Sequence, residues 1–404
     1  LDQDGVSIGS RISARSSKNW PLLLLSGLAM SGFSCSRAPS GPTDPSCIRM
    51  VGSFGEKGAV NVKVEAVATG LEVPWGIAFL PGGGMLVTER PGRIRAIRGG
   101  KLTGPIAEIA VSTDNESGLL GIALHPDFAA NKLFYVYATV EEGGDRFNRV
   151  MRMRLADDGN SAAQDKIIVD RIPGEKYHDG GRLRFGPDGM LYVGTGDARE
   201  PDTSQDPNNL AGKILRVTPD GAVPADNPLP GKLAFITGIR NTQGFDWFDD
   251  KKTLAVTDHG PSGDTGRSGH DEVNVATAGQ NLGWPTIFAC EAKPGMVSPA
   301  LTWEEAAPPG GAAFYRGNLI PEWKGSLIIG TLRSKHLHVV AFDPNTPGKA
   351  IKHEVYFHGD PPNGHGRLRD VVMGPDGALY VTTSNCDDRG ECPADKDRIL
   401  RISR

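Results

Sequence analysis

The sequence predicts an all-β fold, a six-bladed β-propeller. Three observations lead there. An apolar run, a Gly/Pro/Asp-rich turn and a second apolar run recur six times along the 404 residues. Between the copies lie further strands in which basic and apolar residues alternate, as in GRIRAIRGG (92–100) and DRILRISR (397–404). Long amphipathic helical patterns are absent. A turn that needs Gly or Asp between two apolar strands is a hairpin. A repeated four-stranded unit cannot bury both of its faces alone, so the copies must pack around a ring.

The copies, in chain order, are IAFLPGGGMLVTE (77–89), IALHPDFAANKLFYVYAT (122–139), LRFGPDGMLYVGTGD (183–197), FDWFDDKKTLAVTDHG (245–260), FYRGNLIPEWKGSLIIGTL (314–332) and VVMGPDGALYVTTSN (371–385). Alternating strands follow most of them, among them NRVMRMRLADDG (148–159), GKILRVTPDG (212–221) and KHLHVVAFDPN (335–345). Outer blade strands face solvent on one side, which accounts for Arg alternating with Ile. The stretch NVKVEAVAT (61–69) also alternates, and the chain ends inside a strand. Pairing of 61–69 with 397–404 is therefore expected to close the ring and remove its exposed edges.

Composition bounds the function. The 53 Gly and 30 Pro suit many tight turns and show no collagen period. A net charge of −4 without a basic block argues against nucleic acid. At the N-terminus, Arg11, Arg15 and Lys18 precede the apolar run WPLLLLSGLAMSGFSC (20–35), the order of a secretory signal and too short for a membrane span. We read residues 1–35 as that signal, 36–58 as a flexible tether and 59–404 as the propeller. Ordinary cleavage near residue 35 is the first reading. A lipoprotein signal, with Cys35 acylated as a lipid anchor, is the second. The expected location is exported, periplasmic or cell-envelope. Cys386 and Cys392 enclose a short loop and would bridge in an oxidising compartment. The alternative is two free thiols. No CxxC pair suggests zinc.

The polar groups lie in loops before or after the predicted inner strands. His178, in YHDGGRLRF, is flanked by glycines that let backbone approach a ligand, and Asp197 ends the same hairpin. A carboxylate there would orient the imidazole and raise its basicity. Arg240 and Asn241, in GIRNTQGF, offer fork donors to an anion or a carbonyl. The segment DHGPSGDTGRSGHDEVN (258–274) has the carbonyls and carboxylates a hard cation such as calcium prefers, without an EF-hand pattern. Arg367 and Arg369 alternate on one strand and suit a ligand with several carboxylates. Glu116 and Ser117 precede the second inner strand. Taken singly, each group reads as well or better as a surface loop, a turn cap or a solvated face. Taken together, they recur at one place in successive blades and so gather at one mouth of the ring.

At these residues the chain resembles the soluble quinoprotein sugar dehydrogenases, the glucose/sorbosone dehydrogenase family, and most nearly its aldose sugar dehydrogenase branch. The stretches that carry the likeness are GLEVPWGIAFLP, GLLGIALHPDF, HDGGRLRFGPDGMLYVGTGD, GKILRV, GIRNTQGF, DHGP, GQNLGWP and GRLRDVVMGPDG, in that order. The resemblance implies a six-bladed propeller holding pyrroloquinoline quinone (PQQ) and calcium. It implies His178 as the base, Asp197 as its support and Arg240 beside the reactive carbonyl. Asn241, Arg333, Arg367 and Arg369 would contact the cofactor, with Glu116 where glucose-oxidising relatives have Gln. The carbonyls of Gly260 and Pro261 would hold calcium. An aldose would be oxidised at its anomeric carbon to a lactone, and electrons would pass to an external acceptor. Tyr177 replaces an acidic residue of the glucose enzymes, AAPPGGAAFY lacks a Thr found there, and the DHGP loop is lengthened by GDTGRSGH. Two rival classes remain: a calcium-dependent propeller lactonase and a non-enzymatic binding propeller.

Overall fold

A computed structural model describes residues 41–404. The expected signal and Cys35 lie outside the described residues. Six sheets form six blades, each numbered here by chain order of its innermost strand. Blade 1 runs Pro74–Phe79, Met85–Glu89, Arg93–Arg98 and Lys101–Glu108. Blade 2 runs Leu119–Leu124, Leu133–Glu142, Asp145–Leu155 and Ala162–Pro173. Blade 3 is built from Leu183–Phe185, Leu191–Gly194, Ile214–Val217 and Ala234–Ile236. Blade 4 is Gly244–Trp247, Leu254–Asp258, Asp271–Ala276 and Leu301–Trp303. Blade 5 is Pro309–Phe314, Leu327–Thr331, Leu337–Phe342 and Ala350–Tyr356, and blade 6 begins Leu368–Met373, Leu379–Thr383, Asp397–Ser403. Within each blade, consecutive strands pair antiparallel.

The ring closes as expected. Blade 6 takes its fourth strand, Lys63–Leu71, from the other end of the propeller, with Leu400 opposite Ala66 and Ile402 opposite Val64. The core follows the same logic. Six apolar clusters each join neighbouring blades, so the hydrophobic surface a lone blade would expose is buried blade against blade. The last of these packs Leu71 and Ile399 of blade 6 against Ile77 and Val87 of blade 1.

The expected tether needs correction. Ile48–Met50 pairs in parallel with Leu301–Trp303 as a fifth strand of blade 4, and Glu56–Lys57 does the same on blade 5. Cys47 is bridged to Cys290, and the Phe54 ring packs against His336 and His358. Strands of three and two residues are too short to show a period in sequence, yet they cover two outer blade edges. The second bridge, Cys386–Cys392, forms as expected.

Antiparallel pairing decides where the loops go. The residues before an inner strand and those after the next strand emerge at the same mouth of the channel. Arg182, just before the inner strand of blade 3, pairs with Asp370 of blade 6 at 2.8 Å. Blades 3 and 6 stand opposite one another, so this ion pair spans the channel.

Candidate active site

The site is assembled at that mouth. His178 precedes the inner strand of blade 3, and Asp197 follows its second strand. The His178 Nδ1 atom is 2.7 Å from Asp197 Oδ1. The backbone that brings them together is unusual. His178 has φ of 65°, a left-handed value that costs a non-glycine residue energy. Its N–H donates to Glu116 Oε2 at 3.1 Å. Gly196 makes the close approach possible, since a Cβ there would sit 1.9 Å from the His178 carbonyl oxygen. Asp197 is itself fixed from both sides: the Trp284 indole N–H donates to Oδ2 at 2.8 Å, and the Arg199 N–H donates to Oδ1 at 2.8 Å. The carboxylate therefore receives Nδ1–H, which leaves the Nε2 lone pair of a neutral His178 turned the other way.

Arg240 and Asn241 precede the inner strand of blade 4. Both of their backbone N–H groups donate to the buried Asp258 carboxylate, at 2.9 and 2.7 Å. This holds the Arg240 guanidinium against the face of Trp284, 5.7 Å from the ring centre. Asn241 accepts the Gly180 N–H through Oδ1 and donates Nδ2–H to Glu116 Oε2 at 3.1 Å. Glu116 thus ties blade 2 to blades 3 and 4. Burial alone would raise its carboxyl, but the charges of His259 and His178, the His178 N–H and Arg389 hold it at about 2. The neighbouring His259 is pushed down to about 4 by burial, and its Nε2 lies 2.8 Å from the Pro309 carbonyl.

Across the mouth, Arg367 and Arg369 converge on one carboxylate, Asp387 Oδ2, at 2.7 and 3.2 Å. Both are buried, which rules out a solvated outer face. Arg369 also donates to Ser384 Oγ and to Gln243 Oε1. Its burial, with Arg367 and Arg90 close by, pushes the guanidinium down to about 10 despite Asp387. Arg389 reaches Glu116 Oε1 at 3.4 Å. Cations outnumber carboxylates here, so an anion with several carboxylates would find partners already in place.

Gly260 and Pro261, after the second strand of blade 4, are buried. Among the described residues nothing donates a hydrogen bond to either carbonyl, while the Gly260 N–H is held by Asp271 Oδ1 at 2.9 Å. Buried carbonyls without donors suit a hard cation with oxygen ligands. The residues present therefore fit both expected groups, a polycarboxylate quinone and calcium. Arg333 follows the second strand of blade 5, at the same mouth. It is exposed and makes no hydrogen bond or ion pair with the described residues, so the structure does not bring it into the cluster.

Several residues at the site escape the sequence reading. Trp284 lies in GQNLGWP and Asp387 in SNCDDRG, where neither residue type signals its partner. Asp264 lies in the added stretch GDTGRSGH. Its carboxylate accepts Arg240 Nε–H at 2.9 Å and stands 3.9 Å from His178 Nε2. No periodicity marks such a loop residue.

With this geometry in place, comparison with known proteins gives the following. A family model described as "Glucose / Sorbosone dehydrogenase" matches residues 71–392. The aldose sugar dehydrogenase YliI of Escherichia coli is 33% identical over 80% of this chain and 90% of its own. Quinoprotein glucose dehydrogenase B of Acinetobacter calcoaceticus is 28% identical over 58% of this chain and 54% of its own. Among solved structures, the PQQ-bound form of an aldose sugar dehydrogenase from Streptomyces coelicolor superposes with a TM-score of 0.75 at 36% identity, covering 85% of this chain and 98% of that one.

Proposed function

The chain belongs to the glucose/sorbosone dehydrogenase family, and from that premise we propose that it is a PQQ- and calcium-dependent aldose dehydrogenase, oxidising the anomeric carbon of a sugar to a lactone. The observation that carries this reading is the meeting, at one mouth, of a carboxylate-backed imidazole with a surplus of buried arginines. The first is what removal of a hydroxyl proton requires; the second is what a polycarboxylate cofactor requires.

The roles follow from the contacts. Nδ1–H of His178 is committed to Asp197, so Nε2 is the atom that takes the proton of the anomeric hydroxyl. Asp197, held by Trp284 and Arg199, stabilises the imidazolium that results. Arg240 is anchored through its backbone, its Trp284 contact and the Asp264 carboxylate, so its guanidinium would stand beside the reactive carbonyl of the quinone. Arg367 and Arg369 would grip cofactor carboxylates, and the Gly260 and Pro261 carbonyls would hold calcium. When bound, the quinone supplies the electrophile that accepts hydride from the anomeric carbon, and calcium adds polarising charge.

Electrons then pass to an external acceptor. Export to the periplasm or cell envelope is part of this reading, and the two disulfides support an oxidising compartment. The lactonase alternative would need metal-binding side chains to converge. Among the described residues no three His, Cys, Asp or Glu do so.

The reading is tested by titrating PQQ into calcium-loaded protein and following the quinone absorbance. The wild type should bind stoichiometrically. Arg367→Ala with Arg369→Ala should weaken binding by about a hundredfold or more, as expected for lost charge-assisted bonds. Equal affinity in a double variant whose melting is unchanged would contradict the assigned clamp.

A further inference from the structure

The lengthened loop after Pro261 is the feature that the roles above leave unused. It folds back on itself, with Ser262 bridged to Ser268 and the Gly263 N–H donating to the Arg267 carbonyl at 2.8 Å. Gly263, Gly266 and Gly269 all have positive φ, which lets the chain turn tightly enough to direct Asp264 inward. A Cβ on Gly260 would meet the Gly269 carbonyl at 2.2 Å, so the base of the loop is closed against itself.

Asp264 reaches the centre of the site. Its Oδ2 accepts both Nε–H and Nη2–H of Arg240 and lies 3.9 Å from His178 Nε2. Among the described residues its Oδ1 receives no hydrogen bond, and the side chain keeps 23% of its surface open. Burial tends to raise the carboxyl, but the Arg240 charge and bonds outweigh it and hold the group below its ordinary range. One oxygen is clamped 3.9 Å from the base, and the other carries no donor among the described residues. Tyr177, the neighbour of the base in sequence, offers no such acceptor; its hydroxyl is turned to Asn115 Oδ1 at 3.1 Å.

A sugar whose anomeric hydroxyl sits on His178 Nε2 carries its next hydroxyl on the adjacent carbon. We propose that Asp264 is a substrate-positioning residue that accepts this neighbouring hydroxyl through Oδ1 and so selects aldoses that possess it. This inference rests on the dehydrogenase reading. A charged acceptor discriminates strongly, because an analogue lacking the hydroxyl leaves the carboxylate desolvated and unpaired.

The test compares an aldose with its 2-deoxy counterpart, glucose and 2-deoxyglucose being the probes. kcat and KM are measured for the wild type, Asp264→Asn and Asp264→Ala, all loaded with PQQ and calcium. Quinone affinity is measured separately by absorbance titration. The wild type should favour the full aldose by about ten- to a hundredfold in kcat/KM. In Asp264→Ala that ratio should fall towards one, the loss on the full aldose exceeding any common loss on both sugars from the freed Arg240, and Asp264→Asn should fall between. Quinone affinity should be unchanged in both. An unchanged ratio, an equal loss on both sugars, or a first effect on quinone affinity would each overturn the assignment. If the loaded wild type oxidises no aldose, the dehydrogenase reading itself fails and this inference falls with it. Oxidation with an unaltered ratio removes Asp264 alone.

Discussion

At the scale of single residues, His178 is the pivot of the site. Its ring is held at one nitrogen by Asp197, its backbone by Glu116, and its left-handed conformation by the room that Gly196 leaves. That much fixation costs energy, and a functional demand on the position of Nε2 explains why the cost is borne. His178→Gln should keep the quinone titration of the wild type while lowering turnover about a hundred- to ten-thousandfold, the range for loss of a general base. Steady-state oxidation near the wild-type rate would remove His178 from the mechanism. The His178–Asp197 pair was legible in sequence because both ends of one hairpin must share a mouth. Trp284 and Asp387 were not. Each acts across a gap between loops, Trp284 on a carboxylate 87 positions away and Asp387 on arginines about 20 positions back. Pattern within a segment carries no information about such partners.

At the scale of elements, the hairpins with the plainest turn chemistry were the easiest to read. GPDG in blades 3 and 6 places Gly189 and Gly377 at positive φ, where other residues are strained. The outermost strands were harder. Ala234–Ile236 of blade 3 has three residues, too few to show alternation. The expected tether, 36–58, hides its strands for the same reason: those in its described part have three and two residues, and its disulfide to Cys290 spans 243 positions, beyond any local cue.

That strap also covers a group of histidines on blade 5. His336 and His338 have ring centres 5.4 Å apart, and His338 and His353 stack at 5.7 Å. Among the described residues neither ring nitrogen of His338 has a hydrogen-bond partner. Burial holds His338 well below the usual imidazole range, His336 at about 3, and His353 lowered. The sign of the consequence is fixed. In the unfolded chain these imidazoles take protons near pH 6.5, whereas in the folded blade they stay neutral to lower pH, His336 and His338 most of all. The unfolded state therefore binds more protons below about 6.5, and stability is lost as pH falls through that value. Melting temperature measured from pH 7 down to 4 should fall, and His338→Phe should make the fall shallower. Identical slopes in the two proteins would show that this cluster carries no acid sensitivity.

At the scale of the whole molecule, six blades close through a strand contributed by each end of the propeller, and six interblade clusters share the core between them. This architecture was readable because repetition is a property of the whole sequence and survives weak copies. The site was only half readable. Its position at one mouth follows from topology, but the charge balance there depends on loops whose course no repeat dictates, above all the one that carries Asp264. The central claim is that this mouth becomes an aldose-oxidising centre only when an organic hydride acceptor and a cation fill it. The most direct measurement is dye reduction by the cofactor-depleted protein with a panel of aldoses, supplied with PQQ alone, calcium alone, both, or neither, together with analysis of the product. The account predicts dye reduction and lactone formation only when both are present. Sugar oxidation by protein shown to hold no quinone, or lactone hydrolysis in place of oxidation, would contradict it.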